Sequence, residues 1–411
     1  MIESQPSATD PARWSPRELA AIAVLLAFLV GLIGLRIITR PTDTARIPSM
    51  ADVVVLHAAG LRADSFSATE LAGDLGLSFE QLLHWPNAFA QSSDPLRSSL
   101  SLLSGDLVLD LDRQPGPSTL VPRLHASGYV TSLVTDSEAL HERVAELFDL
   151  ARRVSGPEQL VDESARLWTE MTDRGPSFLF VDVTFAGTPL HADTTAASEL
   201  KEAHSKRLAF LRGVLAQISQ ATSRSSRPQL IALVGSSGLE LGEHPDDTES
   251  PFDPHLRVPF ILGLRSASTL PSGIQPGLIQ SADLAPTLLD LLDRRSRAEK
   301  QQDDKMRRGR SLEASTHGWV EGPVHDVLYL ASAHHVVART RDWKLISEVT
   351  EPWEIRRESS RLYSLSEDPG ESRDLLSEGS MGPVAEGLFV DLQSWLLRPV
   401  TLAVSPTEKG R

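Results

Sequence analysis

The chain has 411 residues, enough for one large domain or two modest ones, and 41% of them are apolar, which suffices for a hydrophobic core. It carries 40 Lys and Arg against 55 Asp and Glu, a formal net charge of −15, so it lacks the basic surface that nucleic-acid binding requires. The absence of cysteine excludes disulfides, thiolate metal sites and cysteine nucleophiles.

The first apolar segment predicts a membrane anchor. Leu19–Leu35 is an almost wholly apolar run without charge, and it extends to residue 38 if Arg36 snorkels to the interface. That length reaches the roughly 20 residues that a helix needs to cross a bilayer. A cleaved signal peptide, with its apolar region of about 7–15 residues and small-x-small cleavage site, fits less well, as does a buried helix. The predicted N-terminal segments are a tail (1–18), a transmembrane anchor (19–38) and a linker (39–50).

The charges that flank this run indicate its orientation only weakly. Arg13 and Arg17 precede the run, whereas Arg36, Arg40 and Arg46 follow it. The positive-inside rule therefore slightly favours a cytoplasmic C-terminal side.

Short apolar runs rich in β-branched residues predict buried parallel strands. They lie at residues 53–56, 130–134, 178–183, 230–234 and 260–264. Apolar residues at helical spacing fall between them, at residues 120–127, 138–153 and 198–219. Strands that alternate with helices predict an α/β domain with a mostly parallel sheet, whose chemistry should lie where the strands end.

The last quarter of the chain predicts a smaller α+β piece. Residues 324–330 and 335–346 have the pattern of strands, and residues 366–370 (SEDPG) have the composition of a turn. The predicted divisions are an α/β domain (51–293), a charged linker or loop (294–322), a C-terminal subdomain (323–400) and a tail (401–411).

Four segments in chain order carry a family resemblance. They are residues 56–64 (LHAAGLRAD), residues 87–105 (from NAFA to LLSG), residues 234–244 (VGSSGLELGEH, with RVP and DLAPTLLD after it) and residues 362–371 (from LY to EDPGE). Together they resemble the sulfatase family of the alkaline-phosphatase-like superfamily, over about residues 52 to 376.

This resemblance implies both a fold and an activity. The implied fold is a mostly parallel sheet flanked by helices, with a small C-terminal α+β subdomain. The implied activity is sulfuric or phosphoric ester hydrolysis with a divalent metal ion. Because most relatives work outside the cytoplasm, we follow the resemblance and expect an extracytoplasmic (periplasmic or extracellular) soluble part.

The positions that the resemblance assigns to the metal and substrate are replaced in this chain. Ala59 and Gly60 stand where carboxylates follow the first strand, and Ser236 and Ser237 stand where the family has Asp and His. Gly187 stands where a substrate-side histidine is expected. A hard cation needs clustered carboxylate oxygens, so we expect no cofactor, and a calcium-type cation only if the site has been rebuilt.

The nucleophile position has two alternatives. Residues 93–97 (SDPLR) match the Ser-x-Pro-x-Arg core of sulfatases that mature a serine, which would make Ser93 and Arg97 catalytic. An ungapped alignment over the whole segment instead places Pro95 there, and proline cannot act as a nucleophile. The second alternative is the one we favour.

Other candidates have structural interpretations beside functional ones. His57 ends the first strand and could be a relocated metal ligand, as could Asp94. His244 is expected to be a solvated loop histidine. Arg62 and Asp64 are expected to form a structural pair.

The sequence therefore favours a pseudoenzyme with a small-residue pocket. Its expected partners are the membrane, through residues 19–38, and an unidentified envelope protein or glycan, but not nucleic acid. The rival hypothesis is an active sulfuric or phosphoric ester hydrolase that uses Ser93 and relocated metal ligands.

Overall fold

A computed structural model describes the chain in segments separated by gaps. The described residues are 50–111, 120–184, 197–244, 251–266, 273–295, 309–316, 324–332, 334–350, 354–379 and 382–397. The anchor predicted at residues 19–38 lies outside them. Within the described segments, no helix is both long and apolar enough to span a bilayer.

The strands are numbered β1 to β15. In chain order they are Asp52–Ala59, Leu82–His84, Ala88–Phe89, Val130–Thr135, Leu150–Arg153, Ser177–Val183, Gln229–Ser237, Arg257–Val258, Phe260–Arg265, Gly273–Ile274, Ile279–Gln280, Leu328–Ser332, His335–Arg339, Trp343–Thr350 and Glu354–Ser364.

The α-helices are numbered α1 to α11. In chain order they are Ala68–Asp74, Pro95–Ser104, Val108–Leu111, Leu120–Ala126, Glu138–Val144, Pro157–Thr172, Ala197–Thr222, Asp253–Leu256, Leu284–Leu291, Glu313–Thr316 and Pro383–Leu396. Short 3-10 helices lie at Phe79–Gln81, Ala145–Leu147 and Ser281–Asp283.

Among the described residues, eight strands form the central sheet in the order β10-β2-β9-β7-β1-β6-β4-β5. The five strands from β7 to β5 are parallel, and β9 is antiparallel to both of its neighbours. A three-stranded sheet (β11-β3-β8) and a four-stranded antiparallel sheet (β12-β13-β14-β15) complete the described strands. The predicted mostly parallel α/β architecture is confirmed.

The central sheet is buried on both faces, which explains its near-continuous apolar runs. On one face, Val53 and Phe180 belong to a cluster with residues of α2, α4 and α9. On the other face, Val54 and Leu179 belong to a cluster with residues of α1, α6 and α7. Because successive side chains of a strand alternate between faces, each strand needs apolar residues at every position. Each fully buried large apolar side chain contributes about 1.5–3 kcal/mol.

Three secondary-structure predictions were wrong in part. The helix predicted over residues 138–153 ends at Val144. Leu150–Arg153 instead forms β5, an edge strand that pairs in parallel with β4. The strand at residues 260–264 exists but is antiparallel to β7. The strand predicted over residues 335–346 is a hairpin of β13 and β14, closed by the Thr340 N–H bond to the Trp343 carbonyl (2.8 Å).

A buried ionic cluster joins the C-terminal sheet to the segment that follows β7. Lys344 of β14 is fully buried, and its Nζ lies 2.9 Å from Asp253 and 2.6 Å from Glu371. Arg339 of β13 also binds Asp253, at 2.9 Å. Burial acts to raise the pKa of the Asp253 carboxyl, but the two cations outweigh it and hold that pKa well below its usual range.

Candidate functional site

The four described positions where metal ligands were expected lie together at the carboxyl edge of the sheet. Ala59 of β1 pairs with Ser237 of β7, just after a bulge that leaves Ser236 as the extra residue. Gly60 has a φ of 72°, a left-handed conformation that turns the chain out of the sheet. The Leu61 N–H then bonds the Ser237 carbonyl at 3.1 Å. These residues are all buried, and the Ser236 hydroxyl has no hydrogen-bond partner.

The helix α2 begins at this edge, and its N-terminus is filled by the chain's own carboxylate. Asp94 is the N-cap, and its Oδ1 accepts hydrogen bonds from the N–H groups of Leu96 (2.8 Å) and Arg97 (3.2 Å). Pro95 at the first helical position has no N–H to offer. A helix N-terminus normally binds anions through such free N–H groups. Here those groups are already used.

The two alternatives for the nucleophile position occupy different surroundings. Pro95 opens α2, whereas the Ser93 hydroxyl lies against the hydroxyl of Ser332 at the end of β12. Arg97 is half-buried in the first turn of α2. The Ser93 hydroxyl therefore faces the C-terminal sheet.

A buried polar network that sequence reasoning missed lies beneath α2. His57 Nδ1 is 2.8 Å from Asp182 Oδ1, and the hydroxyl of Thr135 donates to Asp182 Oδ2 at 2.9 Å. His57, Asp182 and Thr135 are side by side on β1, β6 and β4, and all three are fully buried. Ser99 of α2 places its hydroxyl 3.3 Å from both His57 and Asp182. The network thus ties the helix to three neighbouring strands.

The geometry of this network differs from that of a catalytic triad. In a triad, the serine contacts the imidazole nitrogen that the carboxylate does not use. Here Ser99 and Asp182 share Nδ1, and Ser99 also bonds the Pro95 carbonyl at 2.8 Å, as helical serines do. Nε2 of His57 is buried and has no hydrogen-bond partner among the residues that the structure describes. Because a carboxylate only accepts, Nδ1 carries the proton that bonds Asp182.

Charged residues form the rim outside the replaced positions. Arg62 binds Asp64 and Glu243, both at 2.7 Å, so the predicted Arg62–Asp64 contact is present. The hydrogen bond from Arg62 lowers the pKa of the Asp64 carboxyl. Burial acts to raise the pKa of Glu243, but hydrogen bonds from the Glu240 carboxyl, the Leu241 N–H and Arg62 lower it to about 2.

The prediction for His244 was wrong. Its side chain is 10% exposed and stacks on Phe252, with 3.7 Å between ring centroids. Its two ring nitrogens contact Glu240 and the Gly370 carbonyl. The predicted solvated loop histidine is therefore a packed residue between two parts of the fold.

The residues at this edge do not fit the divalent metal that the resemblance implies. Ala59 and Gly60 supply no side-chain ligand, and Ser236 and Ser237 supply only neutral hydroxyls, whereas calcium and magnesium require carboxylate oxygens. In the part of the chain that the structure describes, no cluster of three His, Asp or Glu residues could hold a metal ion. Gly187 lies outside the described residues.

Comparisons with known proteins give a structural match without a sequence match. No protein-family model and no curated protein matches the sequence. A putative sulfatase from Bacteroides fragilis superposes with a TM-score of 0.64 at 14% identity, over 85% of this chain and 96% of its own.

Two further solved structures agree with this match. One is a protein of a Bacteroides thetaiotaomicron locus for the metabolism of multiple glycosaminoglycans (TM-score 0.63, 14% identity, 86% of this chain and 100% of that chain). The other is the phosphonate monoester hydrolase of Agrobacterium radiobacter (TM-score 0.57, 14% identity, 84% and 96%). The fold is sulfatase-like. At such low identity, the match concerns the fold alone, and any function must be argued from the site itself.

Proposed function

We propose that this protein is a membrane-anchored, sulfatase-like pseudoenzyme whose soluble part lies outside the cytoplasm. The sulfatase-like fold is kept, while the ester-cleaving site is replaced by small residues and an internal polar network. The anchor rests on the apolar run at residues 19–38, which matches the thickness of a bilayer.

The observation that carries this proposal is that the residues at the carboxyl edge of the sheet suit neither a bound cation nor a bound anion. Hydrolysis of a sulfate or phosphate ester needs positive charge and free N–H donors at the anionic group. At this edge, Ala59, Gly60, Ser236 and Ser237 offer a cation no carboxylate. The Asp94 carboxylate occupies the first N–H groups of α2 and would repel a bound anion. An anionic ester therefore finds no positive charge at these positions and no free N–H group at the start of α2.

The function that remains for such a scaffold is binding. Such a scaffold can bind an envelope protein or a glycan without cleaving it. The glycan class is supported by the similar fold of the protein from the glycosaminoglycan-metabolism locus.

The test is metal content and hydrolysis on one sample of the full chain in detergent. We expect less than stoichiometric calcium, magnesium, manganese and zinc by elemental analysis, no hydrolysis of aryl sulfate or aryl phosphate, and an unfolding midpoint that neither EDTA nor added calcium changes. Stoichiometric metal together with hydrolysis that Ser93→Ala abolishes would instead support the rival hydrolase hypothesis.

A further inference from the structure

His244 bridges two hydrogen-bond acceptors that belong to different parts of the fold. Its Nδ1 lies 2.7 Å from Oε1 of Glu240, in the segment that follows β7. Its Nε2 lies 2.9 Å from the carbonyl oxygen of Gly370, in the turn that follows β15. Glu240 is 4% exposed, so water does not readily replace the Glu240 contact, whereas the Gly370 carbonyl lies at the surface.

The number of protons in this arrangement follows from the acceptors. A neutral imidazole has one N–H, and a backbone carbonyl can only accept. Nε2 must therefore carry a proton to bond Gly370. Nδ1 can then bond Glu240 only if the pair holds one further proton, either on Nδ1 or on the carboxyl group. Burial raises the pKa of the Glu240 carboxyl, which favours the form of the pair that holds this further proton.

We propose that the Glu240–His244 pair is a one-proton latch, which fastens the segment after β7 to the C-terminal turn at Gly370 and releases it as the pH rises. When the proton leaves, the Nδ1 lone pair faces a carboxylate, or the Nε2 lone pair faces a carbonyl. Either contact is repulsive, so the closed arrangement loses one hydrogen bond.

The charged groups around the pair favour retention of the proton. Glu243 lies beside Glu240 on the same segment, and its ionised carboxylate is bound by Arg62. This negative charge stabilises a proton on the pair. Arg361 opposes it weakly, at 5.4 Å from the ring of Phe252 on which His244 stacks.

The charges of the C-terminal turn are satisfied locally. Glu371 is bound by Lys344, and its other oxygen accepts the Asp253 N–H at 2.6 Å. Asp368 accepts from the Ser372 hydroxyl and the Arg373 N–H. Because Lys344 holds Asp253 and Glu371 together independently, release of the latch frees the Gly370 contact without detaching the C-terminal sheet.

The pH range in which the latch opens follows from the thermodynamic linkage between proton binding and closure. A group whose pKa is raised in the closed form holds its proton there, so its stabilisation is complete at low pH and is lost as the pH rises through the raised pKa. Beyond that point, the opening constant increases by up to about tenfold per pH unit, the limit for one proton.

The test is hydrogen exchange by mass spectrometry on the full chain in detergent, from about pH 5 to about pH 9, upward from the ordinary glutamate range. After correction for intrinsic exchange rates, a peptide that covers residues 366–373 should lose protection as the pH rises. Glu240→Gln should abolish this pH dependence and keep the peptide protected, because a glutamine NH2 can donate to Nδ1 of a neutral imidazole. His244→Ala should keep the peptide, at every pH, at the low protection that the wild type reaches at high pH.

The matched control is His125→Gln, which alters a largely exposed histidine beside Asp149 and should reproduce the wild-type profile. Constant protection of wild-type residues 366–373 across the range would overturn the proposal. So would a Glu240→Gln profile that keeps the wild-type pH dependence or shows no protection, and so would full protection in His244→Ala.

Discussion

Removal of the Asp182 carboxylate should strongly destabilise the protein, because that group satisfies the buried network beneath α2. In Asp182→Ala, the His57 Nδ1–H and the Thr135 hydroxyl both lose their acceptor, at 2.8 Å and 2.9 Å in the native chain. Each buried polar group that is left unsatisfied costs about 1–3 kcal/mol. The expected loss in the free energy of unfolding is therefore about 2–6 kcal/mol.

The conservative variant separates hydrogen bonding from charge. In Asp182→Asn, the amide oxygen can still accept from His57 Nδ1–H, and the NH2 group can donate to the Thr135 hydroxyl. We expect a loss of less than about 2 kcal/mol, since both contacts are replaced by neutral hydrogen bonds.

Urea unfolding of the full chain, followed by the fluorescence of its 7 tryptophans, measures both losses. Asp149→Ala is the matched control, because Asp149 also accepts from the N–H and hydroxyl of one threonine, Thr131. Asp149 is 25% exposed, so water can replace it. If Asp182→Ala loses no more stability than Asp149→Ala, the network does not have the stabilising role assigned to it.

Three further changes test other parts of the structure. Lys344→Met should cost about 3–5 kcal/mol, because it leaves the buried Glu371 carboxylate without its cation, whereas Lys206→Met at an exposed ion pair should have little effect in the same urea assay. Asp94→Ala should cost about 0.5–2 kcal/mol and free the N-terminus of α2, so that added sulfate raises its unfolding midpoint but not that of the wild type. Gly60→Asp should destabilise the chain through backbone strain at a φ of 72°, without conferring calcium binding by calorimetry.

The sequence predicted five of the eight described strands of the central sheet, because burial on both faces of the sheet produces continuous apolar runs in the sequence. It could not predict strand direction, since β9 reverses only through its long-range pairing with β7. It also continued a helix through Leu150–Arg153, where pairing with the edge of β4 outweighs local pattern.

The candidate site was predictable only where a motif preserved the position of a residue. The replaced pairs at residues 59–60 and 236–237 were located by resemblance, and β1 and β7 do bring them together. His57 and Asp182 are 125 residues apart, and only strand register places them side by side. The available signal was a polar residue within each of two otherwise apolar strands.

The buried polar network can explain how the carboxyl edge is stabilised although the expected metal ligands are replaced. Carboxylates at strand ends repel one another unless a cation binds them, so loss of the cation favours loss of the carboxylates as well. In this chain the replaced positions are neutral, and the buried carboxylate of Asp182 is held by His57 and Thr135. Contacts between Ser99 of α2 and this pair connect helix to sheet without any ion. If the sulfatase-like scaffold is retained for binding alone, as we propose, these side-chain contacts would stabilise the edge without a metal.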